Sequence, residues 1–420
     1  MVSYYQAKVF YAWHIKLKAI IRAKGQEMSR LDITIPEGTR DRLFAEADIY
    51  QRLVERFTGI YEKSGFLRVE TPTIENYDLI ATVNSSIKQE NMYKLTDNTG
   101  KLMALRPDNT TPIARVAATK LKNAGLPQKL FYNQNIYRIN GDYSGKRNEI
   151  FQSGIELIGA PGLKGDILCI TTALEVLKSL GLNYKLEIGH AGFFNSIVNS
   201  CGLTDDEDAE LRKFVEAKRY VRFQGQQKSK FGEKIMKLPQ LFGGEEIFGE
   251  AAEVAEGIPE AVSALEYVKK LYGLFVNAGY RDQIMIDLDI VPKFNYYTGV
   301  LFRGYIDKAG EPVLKGGRYD KLLSTFGFDV PATGFAINVC AAADALEKTG
   351  MMLDSKAPDV IVHFDENSFP DAAKRKKWYN EQGLICELST FENINETYKY
   401  AKHMNIKKVE NLTSDTEVSG

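Results

Sequence analysis

The chain has 420 residues, about 2.8 times a common domain length of ~150, so two or three domains and a sizeable core are expected. With 44% hydrophobic and 26% charged residues it excludes wholesale disorder, collagen and coiled-coil rods. Lys plus Arg total 54 against 55 for Asp plus Glu, a formal charge of -1 that supplies no global pull toward nucleic acid or membrane.

At the N-terminus Lys8, Lys16, Lys18, Arg22 and Lys24 alternate with Val9, Phe10, Trp13, Ile15, Leu17, Ile20 and Ile21. Residues 1–30 therefore read either as a basic amphipathic helix or as an extension outside the fold, with Met28 an alternative start. His14, Lys16 and Lys18 interrupt the run too often for a membrane span or secretory signal, which makes the cytoplasm the expected location. Pro36 to Asp41 reads as a turn and helix entry, with Asp41 as the cap. Helical spacing then runs over 42–63 and closes at Ser64-Gly65. Strand-like pieces follow at 66–70, 92–95, 102–105, 129–138 and 150–158, broken by one helix near 110–123. A helix at 165–181 and a strand at 184–189 precede a charged, mostly helical block at 204–279 that looks like an insertion. Sheet patterning returns at 284–291, 298–305 and 313–314, then a helix from Tyr319 and an apolar piece at 334–339. Beyond a linker at 351–358, strands and helices alternate to the end. The expected architecture is α+β: a largely antiparallel sheet with flanking helices over 31–345, containing the 204–279 insertion, and a small α/β unit over 357–420.

The side chains available for chemistry are limited. Cys169, Cys201, Cys340 and Cys386 never form a C-x-x-C pair, as expected of a reducing compartment, and the four histidines, His14, His190, His363 and His403, are scattered. No metal site, cofactor or histidine-based triad is expected. Gly141 to Lys146 falls short of a phosphate loop, because Arg147 stands where a hydroxyl is needed, and reads as a hairpin turn.

Six segments make sense only together: Ser64 to Glu75 (SGFLRVETPTIE), Leu105 to Pro112 (LRPDNTTP), Tyr137 to Asn140 continuing through Asn148 to Glu156, Asn295 to Thr298 (NYYT), Gly316 to Asp320 (GGRYD) and Pro331 to Ala336 (PATGFA). In kind and order, over most of 35–345, they resemble class II histidyl-tRNA synthetases. The resemblance implies a dimer-forming segment ending at Pro72, an adenylate-contacting arginine at Arg138, and a pocket for a small imidazole-bearing zwitterion. In that pocket Asp108 and Thr110 would take the ammonium, Gln152 the carboxylate side, and Glu156, Tyr297 and Tyr319 the imidazole. Each position has a structural alternative. Tyr296 and Tyr297, adjacent on a strand, would face opposite ways so that only one lines the pocket. Gly316-Gly317 would serve a turn, and Arg318 with Asp320 a local ion pair.

The departures from the family are concentrated on the adenylate side. Pro292 stands where the family pattern has an arginine, and Lys293 would project from the other face. Ala341 replaces the arginine that sandwiches adenine, Asn338 a glycine before it, and Asn140 the adenine-reading glutamate, while Asp108 is a shortened acid. Loss of one transition-state donor costs ~10²–10³ in rate, so adenylation is expected to be lost. Residues 357–420 resemble a curtailed anticodon-binding domain, which makes tRNA an unexpected partner. A synthetase body without synthetase chemistry resembles the regulatory subunits of short-form ATP phosphoribosyltransferase. That resemblance implies a non-catalytic chain that dimerises, assembles with a separate catalytic subunit and takes part in feedback control by histidine. A divergent histidyl-tRNA synthetase and an RNA-binding regulator are the alternatives.

Overall fold

The computed structural model describes residues 33–83, 87–140, 145–216, 233–292, 296–350 and 357–413. The N-terminal extension, the start of the 141–146 turn, Lys293, Asn295 and most of the 351–358 linker lie outside the described residues.

Among the described residues, 33–41 together with 140 and 145–149 make a small unit. Thr39 closes a turn on Pro36, and Gly38, at φ +73°, lets its carbonyl accept from Asn148 N at 2.8 Å. The Asn148 side chain also donates to Glu37 O at 3.0 Å.

The larger unit opens with α1 (Ala45–Lys63), amphipathic as its spacing predicts, with Phe57 and Tyr61 fully buried. Its cap differs from expectation: Phe44, not Asp41, precedes the first turn, at φ +50° and without a side-chain cap bond. Next come β1 (Leu67–Arg68), β2 (Ile74–Asn76), α2 (Tyr77–Val83), β3 (Lys94–Thr96), β4 (Leu102–Leu105), α3 (Thr110–Thr119), β5 (Gln128–Tyr137) and β6 (Glu149–Ile158). Then follow α4 (Gly162–Ser179), β7 (Tyr184–His190) and α5 (Ala191–Ser200). The charged block contributes α6 (Asp205–Glu216), α7 (Glu233–Lys237), β8 (Phe242–Gly243), α8 (Phe248–Ala255) and α9 (Pro259–Asn277). After it come β9 (Ile284–Asp287), β10 (Val300–Ile306), β11 (Leu314–Arg318), β12 (Ala332–Asn338) and α10 (Val339–Lys348).

Nine strands form one sheet in the order β1-β5-β6-β12-β11-β10-β7-β9-β8, antiparallel except where β1 meets β5 and β7 meets β9. Strands β2, β4 and β3 make a separate antiparallel sheet. One face of the large sheet carries Phe131, Ile155, Leu157, Phe302 and Phe335 into the main core, where α1 and α4 supply the opposing side chains. The other face carries Leu130, Tyr132, Ile158 and Ala332 into a second, smaller cluster with α3 and Tyr319. Period-2 alternation along each strand separates the two sets.

Two sequence expectations are overturned here. Gly316 and Gly317 lie in the middle of β11, not in a turn, because side chains from neighbouring segments occupy the space that their Cβ atoms would need. The helix expected from Tyr319 is only a short 3₁₀ segment at Leu323–Phe326; the Tyr319 amide instead bonds back to Ala332 O at 2.8 Å and continues the sheet.

Within the larger unit, the C-terminal segment forms β13 (Val360–His363), α11 (Phe369–Glu381), β14 (Cys386–Leu388), α12 (Ile394–Met404) and β15 (Lys408–Asn411). Its three strands are parallel in the order β14-β13-β15, with both crossovers helical. Among the described residues no helix is long and apolar enough to cross a membrane.

Candidate functional site

The floor of the site is a row across the second face of the large sheet. Glu156 on β6 is in register with Gly334 on β12, Gly334 with Gly317 on β11, and Gly317 with Leu301 on β10. A Cβ at Gly334 would run into Glu156 Oε2 and the Ile155 carbonyl, and one at Gly317 would lie 2.8 Å from the Tyr297 ring. The two glycines therefore leave a trough in which the Glu156 carboxylate and the Tyr297 ring lie flat on the sheet. This close approach is their function.

Glu156 is 2% exposed and meets two hydroxyls. Thr110 Oγ1, in the first turn of α3, donates to Oε1 at 2.7 Å, and the Tyr319 hydroxyl donates to Oε2. Both bonds favour the ionised carboxylate, but burial outweighs them and nearby Asp108 adds repulsion, so its pKa is pushed up to about 8. A carboxyl poised in this way can accept from an N–H as the anion or donate as the acid, which matches the two nitrogens of an imidazole.

Asp108 is buried and its Oδ1 accepts from Thr111 N at 2.7 Å, so it holds the start of α3 in place while facing the site. Arg138, just after β5, is anchored by Nε to Pro107 O at 2.7 Å. Burial lowers its pKa, and the charge of Asp108 and the neighbouring Tyr296 and Tyr297 oppose that drop. Gln152 Oε1 accepts from Asn109 Nδ2 at 3.3 Å. Thus Thr110, Glu156 and Tyr319 are joined by hydrogen bonds, Asp108 and Arg138 sit within electrostatic reach of each other, Tyr297 covers Gly317, and Gln152 joins through Asn109.

The expectation for the tyrosine pair is corrected. Tyr296 and Tyr297 precede β10 in irregular backbone, where the two-face rule for strands does not apply. Their ring centroids are 5.0 Å apart, Tyr296 meets the Tyr319 ring at 5.8 Å, and both pack on the second cluster. Burial raises both phenol pKa values, which keeps them as neutral donors.

Residues that sequence reasoning missed support this arrangement. Asn109 is 1% exposed, and its Oδ1 has no hydrogen-bond partner. Arg318 does pair with Asp320 at 2.9 Å as expected, but its main partner is the buried Asp166 on α4, at 2.8 Å. Arg318 also donates to the carbonyls of Ala160 and Gly162, and its own carbonyl accepts from Thr298 N at 2.8 Å. This hub pins the loop carrying Tyr297 to the strand leading to Tyr319. Asp166 lies 152 residues from Arg318, a separation with no local signature.

On the adenylate side the replacement residues have become framework. Asn338 caps α10, its Oδ1 accepting from Ala341 N at 3.1 Å, and Ala341 packs against the main core. Cys340 Sγ accepts from Phe151 N at 3.4 Å and from Arg42, whose guanidinium lies 4.1 Å from the Tyr50 ring centre. Pro292 is half-buried after Ile290 and Val291. In the small unit, Asn140 Nδ2 donates to Arg147 O at 2.8 Å, so its amide is spent on the hairpin stem.

Comparison with known proteins gives a consistent picture. A family model described as histidyl-tRNA synthetase matches residues 38–342. The ATP phosphoribosyltransferase regulatory subunit of Clostridium acetobutylicum is 42% identical over 395 residues, 91% of this chain and 96% of that protein. The same-named protein of Bacillus mycoides is 34% identical over 391 residues, 91% of this chain and 92% of its own length. A solved structure from Bacillus halodurans, titled an ATP phosphoribosyltransferase regulatory subunit/histidyl-tRNA synthetase, superposes with a TM-score of 0.81 at 29% identity, covering 92% of this chain and all of that one. The apo histidyl-tRNA synthetase of S. aureus, at 22% identity and a TM-score of 0.65 over 90% of this chain and 91% of that one, shares the fold.

Proposed function

Because the chain belongs to the histidyl-tRNA synthetase-like family of ATP phosphoribosyltransferase regulatory subunits, we propose that it works as the non-catalytic partner of a separate ATP phosphoribosyltransferase catalytic subunit, in the first step of histidine biosynthesis. One observation carries this choice over a divergent synthetase. The amino-acid end of the site is furnished and dry, with Thr110 and Tyr319 on Glu156, whereas the positions that would steady an adenylate are occupied by a helix cap, an alanine and a proline. A sensor needs differential binding and no turnover.

In this reading the pocket takes free histidine. Asp108 and Thr110 meet the ammonium, Gln152 and Arg138 the carboxylate side, and Glu156, Tyr297 and Tyr319 the ring. The protonation state of Glu156 sets whether it accepts from the imidazole or donates to it. Neither tRNA nor a membrane forms part of the reading, and the scattered thiols fit a reducing cytoplasm. The chain also pairs with itself. The apolar face of α1 does not supply that contact, because Ile49, Leu53, Phe57 and Tyr61 are already buried within the chain. The edge strand β1 and the small sheet leave Leu67 and Ile74 exposed instead, on either side of Pro72.

Mixing the purified chain with a short catalytic subunit and following phosphoribosyl-ATP formation tests the proposal. Coupling of ~1–3 kcal/mol would change the partner's activity or its histidine sensitivity by ~5–150-fold. Unchanged activity, with no complex on gel filtration, overturns it. Sedimentation of a monomer at micromolar concentration would remove the self-pairing alone.

A further inference from the structure

A second cleft, of about 420 Å³, opens at the junction of β7, α5 and α9, away from the residues assigned to histidine. That volume is in the range of small-ligand sites. His190 forms its inner wall. The residue ends β7 and caps α5, with Nδ1 accepting from Gly192 N at 3.1 Å, which places the ring proton on Nε2. Among the described residues nothing accepts from that N–H. Burial lowers the His190 pKa to about 4, so the ring stays neutral at physiological pH and offers a donor without a charge.

Tyr267 on α9 adjoins His190, its ring meeting the imidazole edge-on at 5.8 Å, so that the two rings form one continuous wall. Its hydroxyl donates to Asp166 Oδ2 at 2.6 Å, and Asp166 is in turn clamped by Arg318, so this wall is held before any ligand arrives. Pro259 and Ala264 add apolar lining, and Ser263 and Glu260 stand at the mouth. Among the described residues that line the cleft, Glu260 is the only charged one.

From this set we infer that the cleft binds a small organic ammonium compound: a flat apolar body lying against the joined His190–Tyr267 rings and the Pro259 and Ala264 side chains, a hydrogen-bond acceptor on His190 Nε2–H, and a cationic amine on Glu260. Phosphorylated compounds are disfavoured by the same chemistry, because Glu260 repels them and no cation stands among the described lining residues. The inference concerns a different site from the histidine pocket and does not rest on the reading of that pocket.

Tyramine, with a phenol oxygen, an aromatic ring and a terminal ammonium, is a suitable probe. Saturation-transfer NMR on the full chain is expected to give saturable binding with a Kd of about 1 mM, the affinity appropriate to so few atoms. Glu260→Gln should weaken it at least ~5-fold, and Ser263→Trp, an exposed position whose indole would fill the mouth, should abolish it. Glu156→Gln should leave it unchanged, which separates the cleft from the histidine pocket. Absence of saturable binding to ~10 mM, binding unaffected by both cleft variants, or equal binding of inorganic phosphate would each overturn the proposal.

Discussion

Two sets of positions in this molecule differ in what their side chains do. At the histidine-like end, a buried carboxylate keeps two hydroxyl partners and a glycine trough that only a bare backbone provides. At the positions that the family resemblance assigns to adenylate, Asn338 caps a helix and Ala341 packs against the main core. Desolvated polar groups are costly to keep without a use, whereas a cap and a packed alanine stabilise the fold directly. The contrast is what the proposed sensor, which binds without turning over, requires.

The strongest way to break the comparison is to find chemistry at the emptied end. Histidine-dependent ATP–pyrophosphate exchange should fall at least ~10⁴-fold below that of a working synthetase, since two absent donors cost ~10²–10³ each. Restoring arginine at Pro292 and Ala341 together should not recover it. The side chain at 341 starts from the first turn of α10, held by the Asn338 cap, and the glutamate that Asn140 replaces would still be missing. Exchange near synthetase rates in the unaltered chain would end the contrast.

Next in size is the framework beneath the retained end. Asp166→Ala leaves Arg318 buried without its main partner and should destabilise the protein by ~3–5 kcal/mol, read as a lower denaturation midpoint. Asp320→Ala removes only a half-exposed partner and should cost ~1 kcal/mol or less. Equal effects would show that the hub is not organised around α4.

Glu156 offers a test through pH. Its folded-state pKa of about 8 lies above the ordinary value of 4.5, so the folded protein holds a proton that the unfolded chain gives up. Its contribution to stability is therefore fully present below pH 4.5 and is lost as pH rises to about 8, by an amount on the order of a few kcal/mol. Glu156→Gln should flatten that slope in urea titrations between these limits. The same variant should weaken histidine binding in calorimetry by roughly 10-fold or more, the scale of a lost charge-assisted hydrogen bond. A slope unchanged by the substitution would mean that another group carries it.

The smallest effect is expected at Asn109, which orients Gln152 by one bond of 3.3 Å. Asn109→Ala should change histidine affinity only ~2–10-fold, in line with a net ~0.5–1.5 kcal/mol hydrogen bond. A loss as large as that from Glu156→Gln would move the centre of recognition from β6 to the start of α3.

Much of this protein was legible along the chain. The period of α1, the alternation in β5 and β6, the ordered motifs and the substitutions at Pro292, Ala341 and Asn140 are local in sequence, and each carries its own physical signal. They were sufficient for the α+β sheet, the family resemblance and the expectation of lost adenylation. What could not be read was anything set by packing between distant segments. A Gly-Gly pair looks the same in a turn as in mid-strand, and only Phe302 over Gly316 and Tyr297 over Gly317 decide for the strand. The tyrosine pair obeys no strand rule, because its backbone is irregular before β10. Asn338 looked like a lost glycine until its side chain was seen capping α10. Sequence determined which side chains were available and which were missing; the fold alone decided which of them share a dry site, because desolvation and hydrogen bonding depend on neighbours in space.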